Sequence, residues 1–199
     1  MVSVYQYYKI YKPYLMLSQF SKGENDKSLA DLKYHFPGDV YPVGRLDADS
    51  EGLLILTNDK SLNSKLFDVH NPHPRTYLVE VEGAFSQKEK SMLEKGIEIN
   101  LKGTIYKTLP SAVEILDSEP LVPPRNPPIR FRKTVPVSWI KITLYEGKNR
   151  QIRRMTAAVG FPTLRLIRIA IGNIRLDNLQ PGDVEIIDIK EINKLLNFR

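Results

Sequence analysis

The stretch that decides how this chain is read is Val43-Gly44-Arg45-Leu46-Asp47-Ala48-Asp49-Ser50-Glu51-Gly52-Leu53-Leu54-Ile55-Leu56-Thr57. Its second half is a near-continuous apolar run closed by Asn58-Asp59, the pattern of a buried strand ending in a turn. Its first half sets Arg45 and three carboxylates, Asp47, Asp49 and Glu51, between two glycines, where a loop projects side chains outward. Three acids on alternate residues beside a buried strand are costly unless they are paired or used. A solvated turn and a functional loop on a rigid scaffold both fit that pattern.

On the N-terminal side, Tyr5 to Lys12 alternates weakly and is rich in aromatics, which predicts a strand ended by Pro13. Asn25-Asp26 offers N-caps to a short helix with Leu29, Leu32 and Phe36 near helical spacing, stopped at Pro37-Gly38. On the C-terminal side, Asn58-Asp59 caps a second helix with Leu62, Leu66 and Phe67 on its apolar side. Thr76 to Glu82 alternates as a half-buried strand with Tyr77, Val79 and Val81 on one face. Ser86 and Glu89 form a capping box for a helix that runs to about Lys95, where Gly96 supplies a left-handed stop.

Ile97–Leu101, Ala112–Leu116 and Ser138–Glu146 read as strands. Asn149 caps a helix from Arg150 to about Val159, with Ile152, Met155, Thr156 and Val159 on one face. Strands at Leu164–Ile171 and Val184–Ile189 precede a last helix with Ile192, Leu195 and Leu196 as its apolar side. Short strands and short helices interleaved irregularly predict an α+β fold rather than a doubly wound one.

The 199 residues are enough for one sizeable core or two small lobes. With no cysteine, disulfides, thiolate catalysis and Cys-ligated zinc are excluded. No apolar run is long enough to cross a bilayer, and the first residues lack the basic and apolar regions of a secretory signal, so no membrane partner and a cytoplasmic address are expected. His70 and His73 flank prolines in an extended connector with no third ligand nearby, so no metal is expected there.

The net charge of +6 is unevenly spread. Residues 1–99 carry 12 Lys+Arg and 14 Asp+Glu, whereas residues 100–199 carry 17 and 9. A basic half is the footprint of a polyanionic partner. Part of it is a loop from Pro120 to Pro136 with six prolines, no acid, and Arg125, Arg130, Arg132 and Lys133. Such a loop is neither helix nor central strand, and it reads as a basic arm for RNA phosphates. Another part is the cluster Lys148, Arg150, Arg153 and Arg154. Arginines in the first turns of a helix oppose its dipole, which calls for a carboxylate within the fold or a phosphate outside it.

From Gly44 to Leu54 the opening stretch resembles motif II of the pseudouridine synthases, in the branch that modifies bacterial ribosomal RNA: Gly-Arg-Leu-Asp-x-Asp-Ser-Glu-Gly-Leu-Leu. Glu146-Gly147-Lys148-Asn149-Arg150-Gln151-Ile152-Arg153-Arg154-Met155 is a second strong match to that family. Thr76-Tyr77-Leu78-Val79 and Leu166–Gly172 are weaker ones, in the family's order. Arg125-Asn126-Pro127-Pro128-Ile129-Arg130 is most similar to the members acting on 23S ribosomal RNA. One departure falls at Lys12-Pro13-Tyr14, where many relatives have Lys-Pro-x-Gly.

The resemblance implies a pseudouridine synthase fold: a mixed, mainly antiparallel sheet with peripheral short helices and a central active-site cleft. It implies a single catalytic domain over residues 1–199, in two lobes, with no small N-terminal RNA-binding domain of the S4 type. It implies an enzyme that isomerises uridine in 23S ribosomal RNA or its large-subunit precursor, as a monomer and without cofactor or metal. Asp47 would be the catalytic aspartate, Arg153 its cationic partner, and Tyr77 the ring stacked on the uracil. Arg45 would fill the place of an extruded uridine, with Arg125, Arg130, Arg132, Lys133, Lys148, Arg150 and Arg154 on the RNA backbone. Two other readings use the same residues. One is a non-catalytic ribosomal RNA-binding or assembly protein; the other is a phosphodiesterase with Mg²⁺ on Asp47, Asp49 and Glu51.

Overall fold

The computed structural model describes residues 5–68, 70–129 and 134–197. The chain divides into two compact units, Met1–His73 with Arg168–Arg199, and Pro74–Ile167.

The first unit starts with β1 (Tyr7–Lys12), buried at all six residues, followed by the short strands β2 (Met16–Leu17) and β3 (Lys27–Ser28). Next come β4 (Tyr41–Val43) and β5 (Glu51–Thr57). All seven residues of β5 are buried, as its apolar run requires. β1 runs antiparallel to β5, with Tyr7 opposite Thr57 and Lys12 opposite Gly52. β4 is also antiparallel to β5, and Val43 faces Ile55. Asp59 caps α1 (Lys60–Leu66), accepting from the Ser61 amide at 2.9 Å and from the Tyr7 hydroxyl at 3.0 Å.

The helix expected after Asn25-Asp26 shrinks to a single 3-10 turn, Leu29–Asp31. Ser28 caps it, and the Asp31 carboxylate reaches back to the Ser28 amide at 2.8 Å. Beyond the turn, Leu32, Tyr34 and Phe36 recur with period two and lie inward, between exposed Lys33 and His35. Their rings meet Tyr8 edge-on, at 5.6 Å for Tyr34 and 5.2 Å for Phe36. Edge-to-face aromatic packing outweighs the helical spacing of Leu29, Leu32 and Phe36.

The second unit runs β6 (Arg75–Glu82), α2 (Gln87–Glu94), β7 (Glu98–Leu101), β8 (Thr104–Lys107), β9 (Ala112–Ile115), β10 (Val137–Leu144) and α3 (Gln151–Ala158). β10 lies between β6 and β9, antiparallel to both, while β7 and β8 form a hairpin. The capping box of Ser86 and Glu89 is present, and Gly96 takes its left-handed φ of 76°. Val79, Val81, Leu93, Ile140, Ile142 and Met155 are central to the core of this unit. The proline-rich loop is irregular through Ile129, and Arg165 Nη2 donates to Pro123 O at 2.7 Å. Arg130, Arg132 and Lys133 lie outside the described residues.

β11 (Thr163–Ile171) passes from the second unit into the first, which ends with β12 (Ile174–Arg175), β13 (Val184–Ile186) and α4 (Ile189–Leu196). β13 stops earlier than its apolar pattern suggests, because Asp188 is already the cap of α4 and accepts from the Lys190 amide. The mainly antiparallel α+β architecture is the one expected. No described helix is long and apolar enough to cross a membrane.

Gly52 is the tightest point of β5. Its φ is +99°, and a Cβ there would stand 2.3 Å from Arg168 O. Gly52→Ala should therefore cost at least about 2 kcal/mol, from backbone strain and displacement of Arg168 together. Denaturant unfolding of the two proteins measures it, and equal midpoints would refute the crowding.

Candidate active site

The acidic stretch that precedes β5 is held by its backbone. Leu46 N–H donates to Ser18 Oγ at 3.0 Å, and that hydroxyl donates to Leu46 O at 2.8 Å. Gly44 N–H donates to Asn63 Oδ1 at 3.0 Å; at φ +68° it has no room for a Cβ, which would meet the Phe67 ring at 2.4 Å. Ala48 O accepts from Leu15 N–H at 2.7 Å, and Ser50 N–H closes the turn onto Asp47 O at 3.0 Å. Leu15 makes its contact at a left-handed φ of 59°, a conformation that costs a leucine about 1–3 kcal/mol. This is the turn in which the family's Lys-Pro-x-Gly gives way here.

Lys12 completes the support from below. Its side chain is wholly buried, and Nζ donates to Pro13 O at 2.9 Å, Met16 O at 2.7 Å and Ala48 O at 3.4 Å. Burial pushes its pKa down to about 8; the fields of Glu51, Asp49 and Asp47 oppose the shift, and that of Arg168 reinforces it. Arg168 is itself buried, with Nε donating to Leu53 O at 2.8 Å in β5. Glu51 is the first residue of that strand and is buried. Asp47 and Asp49 are half-buried, and Arg45 is exposed with Nη2 3.3 Å from Gln19 Oε1.

In the second unit, Tyr77 is half-buried on β6 opposite Ile142. It packs against the core cluster that includes Ile152 and Met155 of α3. Arg153 lies on that helix, half-buried, with Nη1 donating to Thr163 O at 3.2 Å.

The start of α3 differs from the sequence reading. Asn149 is not its cap: Arg150 holds that position at φ 50°, ψ 36°, without a side-chain hydrogen bond to the helix. The conflict with the helix dipole is accordingly smaller than expected, since Arg150 precedes the helix. Arg154 is bound to backbone carbonyls, Asn100 O and Asn149 O at 3.1 Å. Lys148 is exposed with Nζ 4.7 Å above the Tyr106 ring, and Arg125 Nε donates to Pro127 O at 2.9 Å.

Among the described residues no group of three or more His, Cys, Asp or Glu is placed to hold a metal ion, so Asp47, Asp49 and Glu51 do not form one. His73 serves the fold, with Nε2 2.9 Å from Leu195 O of α4. The arrangement offers a carboxylate on an immobilised loop in one unit, and a phenol and a guanidinium on core-backed elements in the other. Lys12, Ser18 and Asn63 were missed by the sequence reading. Only Lys12 left a signal, a lysine directly before Pro13 at the end of a strand rich in tyrosine.

A family model described as RNA pseudouridylate synthase matches residues 6–158. Ribosomal large subunit pseudouridine synthase E of Vibrio parahaemolyticus serotype O3:K6 is 52% identical over 171 residues, covering 86% of this chain and 69% of that protein. The protein of the same name from Xanthomonas axonopodis pv. citri is 50% identical over 170 residues, covering 85% and 87%. Among solved structures, a crystal structure of pseudouridylate synthase is similar at a TM-score of 0.78 and 26% identity, over 98% of this chain and 75% of that one.

The Lys12 burial has a measurable consequence. Unfolded, the amine keeps its proton to about 10.5; folded, it loses it near 8. In that window the unfolded state binds more protons, so stability rises with pH. Between those values the unfolding free energy of the wild type should climb more steeply than that of Lys12→Met, by up to about 1.4 kcal/mol per pH unit. Parallel slopes in denaturant titrations would contradict the assignment.

Proposed function

The chain belongs to the RNA pseudouridylate synthase family, and on that premise we propose that it isomerises a uridine of 23S ribosomal RNA, or its large-subunit precursor, to pseudouridine. The observation that carries this reading is Asp47, at the motif's aspartate position, on a loop whose backbone is fixed at Gly44, Leu46, Ala48 and Asp47 itself. A reacting carboxylate gains most from such fixing, because its geometry is settled before the substrate arrives.

The reaction breaks the bond from ribose C1′ to N1, turns the uracil, and joins C1′ to C5. The C5 proton is lost and N1 gains one, so atoms balance without water, redox change or energy input. Asp47 acts at the sugar, either by bonding to C1′ or by removing the C2′ proton. The family's pattern assigns Arg153 to the charge of Asp47, and Tyr77 to stacking on the uracil and to the C5 proton. A uridine in a stem has to be extruded first. Arg45, exposed and two residues from Asp47, suits the vacated place in the stack. Arg125, Arg130, Arg132, Lys133, Lys148, Arg150 and Arg154 supply cations for the RNA backbone. In this reading the two units work as one catalytic domain, and the protein acts as a monomer in the cytoplasm.

Asp47→Asn should bind a 23S transcript within about twofold of wild type and lose turnover by about 10³-fold or more. Quantifying pseudouridine in the transcript decides it, since near-normal formation by Asp47→Asn would reject the assignment. Arg153→Ala should lower kcat by roughly 10²–10³-fold, the scale for removing one preorganised charge-stabilising group. Unimpaired single-turnover rates would detach Arg153 from the chemistry.

A further inference from the structure

The helix that carries Arg153 starts without the device that normally fixes a helix start. Its cap position is a left-handed arginine with no side-chain bond to the first turn. Glu146, five residues before Gln151, supplies a substitute. Its Oε1 accepts from Gln151 Nε2 at 2.7 Å and from Leu109 N–H at 2.8 Å, and its Oε2 accepts from the Tyr106 hydroxyl at 2.6 Å. Gln151, itself buried, accepts from Lys148 N–H at 2.9 Å through Oε1, while its own N–H donates to Lys148 O at 3.1 Å. The first residue of α3 and the end of the β7–β8 hairpin therefore converge on one carboxylate, and Gln151 ties in the turn before the helix.

We propose that Glu146 is the positioning residue for Arg153: its carboxylate, bound to Gln151, Tyr106 and Leu109, sets the height and rotation of α3. The proposal rests on the role given to Arg153 above. Three donors meet this side chain, two at Oε1 and the Tyr106 hydroxyl at Oε2. An amide fits only with its NH₂ toward Tyr106 and the phenol turned to accept, and all three bonds then lose their charged partner. Hydrogen bonds to an ionised acceptor are roughly twice as strong as neutral ones. The Tyr106 phenol is held in its donor form, because the bond to Glu146, followed by burial, pushes its pKa up to about 12. Arg154 adds a second strap from the same helix to the hairpin, through Asn100 O. With no side-chain cap to define the helix start, a shift at Gln151 passes along the rigid helix to Arg153, two residues on.

The test is single-turnover pseudouridine formation on a 23S transcript, measured with RNA affinity and amide hydrogen exchange. Glu146→Gln should lower kcat by roughly 10–100-fold, the loss that about 1 Å of misplacement brings, while Kd for the transcript stays within about twofold. Tyr106→Phe, which leaves the Gln151 bond in place, should cost under about threefold. Wild-type kcat in Glu146→Gln, or loss of affinity in step with kcat, overturns the proposal. Should the wild-type enzyme itself form no pseudouridine, it is the proposed function that fails. The proposal is then judged by exchange alone: amides of residues 151–158 should exchange at least about tenfold faster in Glu146→Gln, and unchanged protection overturns it.

Discussion

A lysine ammonium with no access to water has to be met by oxygen on every side it presents, and the first unit is arranged around meeting one. Desolvating such an ion costs several kcal/mol even after the protein relaxes. Lys12 recovers part of that cost from the carbonyls of Pro13, Met16 and Ala48, and from the field of Glu51, Asp49 and Asp47; the remainder appears as its lowered pKa. The acids beside β5 thus have a counter-charge within their own unit. The same ammonium draws the Ala48 carbonyl inward, between Asp47 and Asp49. Leu15 reaches that carbonyl from the other side of the same turn, at a backbone angle that leucine adopts only when the surroundings compel it.

The two units secure their candidate catalytic groups by different physical means. In the first, the loop is held through the main-chain N–H and C=O groups of Gly44, Leu46, Asp47, Ala48 and Ser50. In the second, Tyr77 and Arg153 stand on a strand and a helix that share one apolar core, and side-chain packing does the fixing. The helix start is then the weak point, because Arg150 provides no cap, and the acceptor has to come from the preceding strand end.

Much of this could be read from the residues alone. The apolar run Leu53–Leu56, the alternation of Thr76–Glu82, the Asp59 cap and the Ser86–Glu89 box each carry a short-range signal that tertiary contacts leave standing. Residues 29–36 were misread because their apolar positions satisfy two periods at once, and only contact with Tyr8 selects between them. Asn149 was misread as a cap because a suitable residue type says nothing about the φ of its neighbour, and Arg150 goes left-handed. Ser18 and Asn63 were invisible, since a polar side chain that receives a distant amide looks like any surface residue in sequence.

The departures from simple sequence rules fall beside the residues proposed to carry the chemistry. A leucine at positive φ supports the Asp47 loop, a charged amine is sealed inside the fold beneath it, and an arginine replaces the cap of the Arg153 helix. Each is unfavourable by itself, and each is stabilised by hydrogen bonds around it: Ala48 O for Leu15, the carbonyls of Pro13, Met16 and Ala48 for Lys12, and Glu146 for the helix start. Stability alone would favour a glycine, an apolar residue and a serine at those positions. Local rules are broken where a side chain must be held in one place, and that is where strained or costly contacts concentrate in working sites.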